Sequence, residues 1–255
     1  MLFPEHDLVD RIAMAGRCGF RGVEVAFPYD GPPTLLCEAL ERQDVEMVLI
    51  NAPPGHFELG ERGIAALPGR ETEFQDSIGR ALEVASELAC RRLHVMAGIA
   101  LPGVALDRHI ETFVANIQWA AARAEERGVR LLLEPINRRT MPGYVLSTLE
   151  TAQEVLQRVG HGNVSLQFDI FHMQIMGGDL LKRFEQALPS IAHVQIAGVP
   201  DRHEPSDSEV DFTYVLRRMD ELGYQEWIGC EYVPRRTTVE GLAWAAPYGI
   251  KAPVD

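Results

Sequence analysis

Short apolar runs alternate with longer amphipathic stretches along almost the whole chain. Seven near-continuous apolar runs are predicted to form strands, at residues 22–27, 46–51, 92–98, 129–137, 164–170, 191–197 and 226–233. Strands that are apolar on both faces are typical of a parallel sheet covered by helices. Apolar residues recur at helical spacing in the stretches 6–19, 71–90, 108–128 and 148–160. Repeated strand–helix–strand units predict an α/β fold with a parallel sheet and right-handed crossovers.

Two parallel architectures fit this alternation, a doubly wound sheet and a closed barrel. No GxGxxG or GxxxxGK[ST] motif follows a predicted strand, so a nucleotide-binding sheet would lack its phosphate-binding turn. The 255 residues match the usual size of a (β/α)8 barrel. We therefore predict one TIM (β/α)8-type barrel domain spanning residues 1–255. Seven strands are one short of the expected number, and the first strand is interpreted as missing or truncated at the N-terminus.

An oxygen-bearing side chain lies near the carboxyl end of each of the last four predicted strands. These four residues are Glu134, Asp169, Gln195 and Glu231. Any one of them alone would be interpreted as a loop residue or an ion-pair partner, but active sites of parallel barrels are built at this end. Three converging acids repel one another unless a cation lies between them. Carboxylate and amide oxygens are hard ligands, so the sequence predicts a site for Mg²⁺ or Mn²⁺.

Further polar candidates are expected near the same end of the barrel. His172 lies in a D-x-x-H pattern after the fifth strand, and Arg202 in PDRHEP could bind an anion in bidentate fashion. His56 and Glu61 belong to the long Gly- and Pro-rich loop at residues 51–70, a type of loop that often covers an active site. For each of these side chains, a solvated loop residue is an equally good interpretation.

Composition and charge exclude several classes of protein. The net charge is −13, from 37 acidic and 24 basic residues, which disfavours a nucleic-acid partner because such proteins need a basic face. With no signal-peptide pattern and no run of about 18 apolar residues, we expect a soluble, cytoplasmic protein without a membrane partner. The four cysteines form no CxxC pair and are expected to be reduced. His109 is interpreted as a surface residue, and His94 and His193 as core residues.

Several ordered motifs resemble the hydroxypyruvate isomerase family. The segments that carry the resemblance are ERGIAALPGR, LLLEPINRR followed by MPGY, QFDIFHMQ, HVQIAGVPDRHEP and GCEYVP. That family belongs to the xylose-isomerase-like barrel superfamily, together with sugar epimerases and oxo-tetronate isomerases. The resemblance extends from MLFPEHDL to WAAPYG, nearly the whole chain. Relatives have a strand before the segment MLF, so we expect either a start upstream of Met1 or a barrel left open.

The resemblance assigns a role to each candidate residue. It implies four metal ligands: Glu134, Asp169, Gln195 and Glu231. The two glutamates would also form the acid/base pair, one on each side of the substrate. Glutamine replaces the histidine that sugar epimerases usually have at position 195, which indicates the isomerase branch. His172 and Arg202 match residues that contact substrate in relatives, whereas His56 and Glu61 lie in the family's loop without a definite role.

The implied activity is the metal-dependent interconversion of hydroxypyruvate and 2-hydroxy-3-oxopropanoate (tartronate semialdehyde) by proton transfer through an enediolate. A 2-oxo-tetronate isomerase and a ketose 3-epimerase remain alternatives, because they would use the same ligands. An abasic-site endonuclease on the same fold would need more histidine ligands and a basic face. A sugar-acid binding protein is the non-enzymatic alternative, and it should lack one of the two glutamates that this chain retains. The small-molecule substrate is the expected partner, and a homo-oligomer is left open.

Overall fold

The computed structural model describes residues 1–253, and its strands form one parallel sheet in which each strand pairs with the next along the chain. The strands are β1 Gly22–Val25, β2 Glu46–Asn51, β3 Arg92–His94, β4 Arg130–Leu133, β5 Val164–Asp169, β6 Ile191–Ile196 and β7 Ile228–Cys230. The predicted barrel is confirmed as a nearly closed seven-stranded one, since β1 and β7 do not pair with each other within the described range. Seven strands fit the predicted absence of the first one. The last two residues of the predicted domain, 254–255, lie outside the described range.

Helices follow most strands and cover the outside of the sheet. They are α1 Leu8–Arg17, α2 Pro33–Gln43, α3 Glu71–Glu87, α4 Leu106–Glu126, α5 Leu149–Val159, α6 Ile170–Met176, α7 Leu180–Ala187, α8 Phe212–Glu221 and α9 Thr238–Gly241. The side chain of Thr148 accepts a hydrogen bond from the Thr151 N–H and begins α5. Gly128 follows α4 with a φ of +66°, a conformation that glycine adopts without strain. Among the described residues, none of the helices is long and apolar enough to cross a membrane.

The leucine run of β4 shows how the core directs a side chain into the site. Leu131 and Leu133 pack in the large cluster beneath the helices, whereas Leu132 packs inside the barrel against residues of β2 and β6. Successive strand side chains point to opposite faces, so Glu134 continues the inward direction of Leu132. Truncating a fully buried leucine such as Leu132 to alanine costs about 2–5 kcal/mol. The strand is therefore a rigid support for the acid that follows it.

A side chain spans the opening between β1 and β7. Glu24 of β1 reaches across to His193 and Gln195 of β6, with atom separations of 2.6 and 2.8 Å. It passes directly over Gly229 of β7, where a Cβ atom would overlap the Glu24 carboxylate. Glycine at this position therefore allows the two edges of the sheet to be joined by side chains.

The interpretation of His109 as a surface residue is wrong. His109 lies on α4 and is fully buried, with Nδ1 2.7 Å from the Ala66 carbonyl oxygen. Its Nε2 accepts a hydrogen bond from the Leu101 N–H at 3.1 Å. The helix packs against the long loop after β2, which the helical periodicity of α4 alone did not reveal. His109 therefore fastens this loop and the segment after β3 to the barrel.

Candidate active site at the carboxyl end of the barrel

Two of the predicted acids lie together at the carboxyl end of adjacent strands. Glu134 follows β4 directly and is 4% exposed, and Asp169 is the last residue of β5 and is fully buried. His172, on α6, joins them: one ligand atom from each of the three residues lies within 4.8 Å of the others. Its Nε2 is 3.5 Å from Asp169 Oδ2 and 3.8 Å from Glu134 Oε1. The expected convergence is present for these side chains.

The third acid is connected to this group through an arginine. Glu231 follows β7, and its Oε2 lies 2.5 Å from Nη2 of Arg202. The same nitrogen lies 3.2 Å from Oδ2 of Asp169. Arg202 is itself fixed by its backbone, which donates to the Gly198 carbonyl and accepts from the Val233 N–H, both at 2.8 Å. A guanidinium group thus lies between two of the four predicted metal ligands.

Gln195, the fourth predicted ligand, has its amide orientation set by neighbouring side chains. Its Nε2 donates to Glu24 Oε2 at 2.8 Å, and its Oε1 accepts from Gln167 Nε2 at 2.6 Å. A carboxylate can only accept, so Glu24 requires the amide nitrogen on its own side. Glu24 is held in turn by His193, whose Nε2 is 2.6 Å away. The oxygen of Gln195 therefore faces away from Glu24, where it bonds to Gln167.

The acids are all harder to ionise than in water. Burial raises the pKa of Glu134 well above its ordinary value, and the charges of Glu231 and Asp169 raise it further. Burial also raises the pKa of Asp169 to about 6, although Arg202 opposes this shift. Burial likewise raises the pKa of Glu231 to about 7, against the opposing effect of Arg202. One arginine does not compensate three acids, which is the charge imbalance that a divalent cation relieves.

Buried polar atoms without partners also mark this place. Among the described residues, Glu134 Oε1, His94 Nε2 and Gln167 Oε1 are buried and accept or donate no hydrogen bond. Buried polar groups in folded proteins are almost always bonded, so a cluster of exceptions needs an explanation. The oxygen-rich donor set is the type that Mg²⁺ and Mn²⁺ prefer. The residues therefore fit a divalent cation held at Glu134 and Asp169.

The predicted loop residues hold the loop itself. Glu61 accepts a hydrogen bond from the His56 N–H at 2.6 Å and forms an ion pair with Arg70. The Arg62 guanidinium lies 3.9 Å from the centre of the Phe57 ring. The His56 side chain is exposed. Contacts of His56 and Glu61 with a substrate stay predictions.

Sequence reasoning missed three polar residues that contact the site. Glu24 and Gln167 each interrupt an apolar strand, in GVEV and VSLQFD, and that interruption was the available signal. His94 is buried as predicted, yet it is not a satisfied core residue, because its Nε2 has no hydrogen-bond partner among residues 1–253 and lies 3.6 Å from Glu134 Oε2. Burial lowers the pKa of His94 to about 3, so the ring is neutral beside Glu134.

The chain matches known proteins over nearly its whole length. Residues 12–248 match the family described as xylose isomerase-like TIM barrel. The chain is 45% identical to 2-oxo-tetronate isomerase of Cupriavidus necator, over 97% of this chain and 95% of that protein. It is 39% identical to hydroxypyruvate isomerase of Escherichia coli, over 97% and 96%. A crystal structure described as AP endonuclease, family 2, from Brucella melitensis is 43% identical, covers 97% and 95%, and has a TM-score of 0.95.

Proposed function

This chain belongs to the xylose isomerase-like TIM barrel family and is an isomerase, and from that premise we propose that it isomerises a small hydroxy-oxo acid. Hydroxypyruvate and 2-hydroxy-3-oxopropanoate are the first candidate substrate pair. A 2-oxo-tetronate fits equally well, because relatives named for both substrates resemble the chain to a similar degree. The reaction moves one hydrogen between adjacent carbons and shifts the carbonyl group in the opposite direction.

The observation that carries this proposal is the pair of glutamates with raised pKa values at the carboxyl end of the barrel, of which Glu134 is buried and Glu231 is partly exposed. A general base works best when its pKa lies near the working pH, and burial raises the pKa of Glu231 to about 7. Glu134 is shifted in the same direction, partly by the charge of Glu231. One glutamate removes the proton from the carbon that bears the hydroxyl, which leaves an enediolate. The other, which starts protonated, delivers a proton to the neighbouring carbon, which had been the carbonyl carbon. The hydroxyl proton passes to the former carbonyl oxygen, so that the first carbon becomes the new carbonyl carbon.

The four predicted ligands Glu134, Asp169, Gln195 and Glu231 would hold a divalent cation. When bound, such a cation stabilises negative charge on two adjacent oxygens of the substrate. Arg202, which pairs with Asp169 and Glu231 in this structure, would then no longer be their sole counter-charge. The guanidinium would then be available to bind the substrate carboxylate, a bidentate pairing that arginine favours. Arg202 is thus the feature that favours an acid over a neutral ketose.

Two other activities are less well supported. A ketose 3-epimerase would use the same glutamates, but its neutral substrate has no carboxylate with which the Arg202 guanidinium could pair. The endonuclease description of the Brucella structure belongs to that protein. A net charge of −13 makes DNA binding unfavourable here.

The test is a set of parallel assays on protein freed of metal by a chelator. Hydroxypyruvate, a 2-oxo-tetronate, a neutral ketohexose and abasic-site DNA are each supplied without metal, with Mg²⁺ and with Mn²⁺. We expect turnover of at least one acid only when a cation is present. Turnover confined to the ketohexose or the DNA, or binding of acids without turnover, would contradict the proposal.

A further inference from the structure

Asn137, in the loop after β4, has a fixed amide orientation. It is fully buried, and its Oδ1 accepts from the Thr140 N–H at 2.8 Å and from Thr140 Oγ1 at 3.2 Å. A backbone N–H can only donate, so the oxygen of Asn137 must be the atom facing Thr140. The amide nitrogen therefore faces the other way, where it lies 2.6 Å from Nδ1 of His172.

Two donors meet the same nitrogen of the His172 ring. Besides the Asn137 amide, the Asn137 backbone N–H points to Nδ1 at 3.4 Å. An unprotonated Nδ1 can accept these bonds, whereas an Nδ1–H would oppose both donors. The ring is therefore neutral with its proton on Nε2. The tautomer of a histidine is commonly set in this way by the partner of its other nitrogen.

The opposite edge of the ring agrees with this assignment. Nε2 faces Asp169 Oδ2 at 3.5 Å and Glu134 Oε1 at 3.8 Å, and carboxylate oxygens are acceptors. Within the described part of the chain Glu134 Oε1 has no hydrogen-bond partner, and His172 Nε2 is a nearby group that could donate to it. A nitrogen that carries a proton has no lone pair for a cation. His172 thus lies among potential ligands without being able to act as one in this tautomer.

We propose that Asn137 is a positioning residue that fixes His172 in the Nε2–H tautomer and so makes it a hydrogen-bond donor rather than a metal ligand. The further consequence, that this N–H donates to a substrate oxygen between the two glutamates, rests on the proposed isomerase function. The tautomer itself does not depend on the substrate. Direct observation of the ring therefore separates a failure of this inference from a failure of the proposed function.

Asn137→Asp is the sharpest variant, because it keeps the shape and reverses the polarity. The new carboxylate still accepts from Thr140 and now also accepts from Nδ1 of His172. The ring proton is expected to move to Nδ1, which leaves the lone pair of Nε2 facing the acids. The matched control is Asn163→Asp, since Asn163 donates to the Val129 carbonyl at the amino end of β4, far from the site.

The measurement is heteronuclear NMR of metal-free protein labelled in its histidine rings, with the His172 signals identified by their loss in His172→Gln. We expect protonated Nε2 and bare Nδ1 in the native chain and in the Asn163→Asp control, and the reverse in Asn137→Asp. A proton on Nδ1 in the native chain, or an unchanged tautomer in Asn137→Asp, would overturn the inference. If Asn137→Asp does not fold, Asn137→Ala replaces it and should show mixed tautomers.

Cobalt binding gives a second readout. The absorption spectrum of bound Co²⁺ reports the nitrogen ligands of the ion. The single variant His172→Gln should show the same Co²⁺ spectrum as the native chain, because Nε2 is not a ligand. Its affinity for Co²⁺ should stay within about threefold of the native value. In Asn137→Asp the spectrum should change, and that change should disappear in the double variant with His172→Gln. A weakening of at least tenfold in the native chain upon His172→Gln would show that the histidine is a ligand and would overturn the inference.

Discussion

The two ends of the barrel both carry charged side chains, but those at the amino end are mostly exposed and balanced in sign, whereas those at the carboxyl end are mostly buried and acidic. A cavity of about 810 Å³ opens at the amino end, and its charged lining residues are Glu46, Arg91, Arg92, Glu125, Arg130 and Glu226. These side chains carry both signs, are largely exposed, and include the ion pair of Arg92 with Glu226 at 2.5 Å. At the carboxyl end, Glu134 and Asp169 are buried, and Arg202 is the basic side chain that pairs with Asp169. Among the described residues, Glu134 Oε1 and His94 Nε2 have no hydrogen-bond partner there.

The difference shows that a cavity lined by charged residues is not by itself evidence of a functional site. Exposed and balanced charges interact with water and contribute about 0–1 kcal/mol per pair. Buried like charges cost free energy of folding, and clusters of them are found mainly at functional sites. The carboxyl end is also where parallel barrels bind their substrates. The predictions below compare substitutions at the two ends, from the largest expected effect to the smallest.

The largest effect is expected from glutamate-to-glutamine changes. Glu134→Gln and Glu231→Gln each remove a proton-transfer group, so kcat should fall by at least about 10²–10⁴-fold. Glu226→Gln makes the same chemical change at the amino end and should leave kcat within about twofold. Steady-state assays with the accepted acid and Mn²⁺ check all three. Native-like turnover in Glu134→Gln would exclude it from the acid/base pair.

The sequence predicted the strands that carry the site residues better than it predicted the hydrogen bonds between those residues. All seven strands were located by their apolar runs, and each was one to five residues shorter than predicted except β2, because strand pairing stops where chains turn outward to the loops. Glu134 and Asp169 were correctly expected to lie together. The hydrogen-bond partners of each site residue could not be predicted, because Arg202 and Gln167 reach the site from a loop and a strand that are distant in sequence. The burial of His109 was missed for the same reason.

Replacement of Arg202 should come next in size. Arg202→Ala removes a charge-assisted hydrogen-bond donor worth about 1.5–3 kcal/mol, so KM for acid substrates should rise roughly 10- to 150-fold. Neutral ketoses should be affected far less. Arg139→Ala is the control, because Arg139 lies nearby and donates to the Pro200 carbonyl. An equal loss with acid and neutral substrates would indicate that Arg202 serves only to hold the acids.

The pH dependence of stability should differ between the native chain and Glu231→Gln. Burial raises the pKa of Glu231 to about 7 in the folded protein, above an ordinary value of 4.5. The folded state favours the protonated carboxyl of Glu231. Its contribution to the free energy of unfolding is therefore full below pH 4.5 and is lost as the pH rises through 7. Glutamine has no such loss. As the pH rises from 5 to 8, the melting temperature of metal-free Glu231→Gln should therefore increase relative to that of the native chain. A difference that stays constant with pH would refute the shift.

The smallest effect is expected at the amino end. Glu226→Gln breaks an ion pair whose glutamate is exposed, so the free energy of unfolding should change by about 1 kcal/mol or less. Urea denaturation followed by circular dichroism measures this change. A larger loss would mean that the two ends of the barrel are more alike than their exposure indicates.

Anomalous diffraction from crystals grown with Mn²⁺ tests the central claim most directly, because it locates the cation without reference to any substrate. We predict a peak at the carboxyl end of the barrel, within bonding distance of Glu134 and Asp169, and its disappearance in Glu134→Gln but not in Glu226→Gln. A cation bound only among the charged residues of the amino-end cavity, or none bound beside Glu134 at a saturating concentration, would contradict the account.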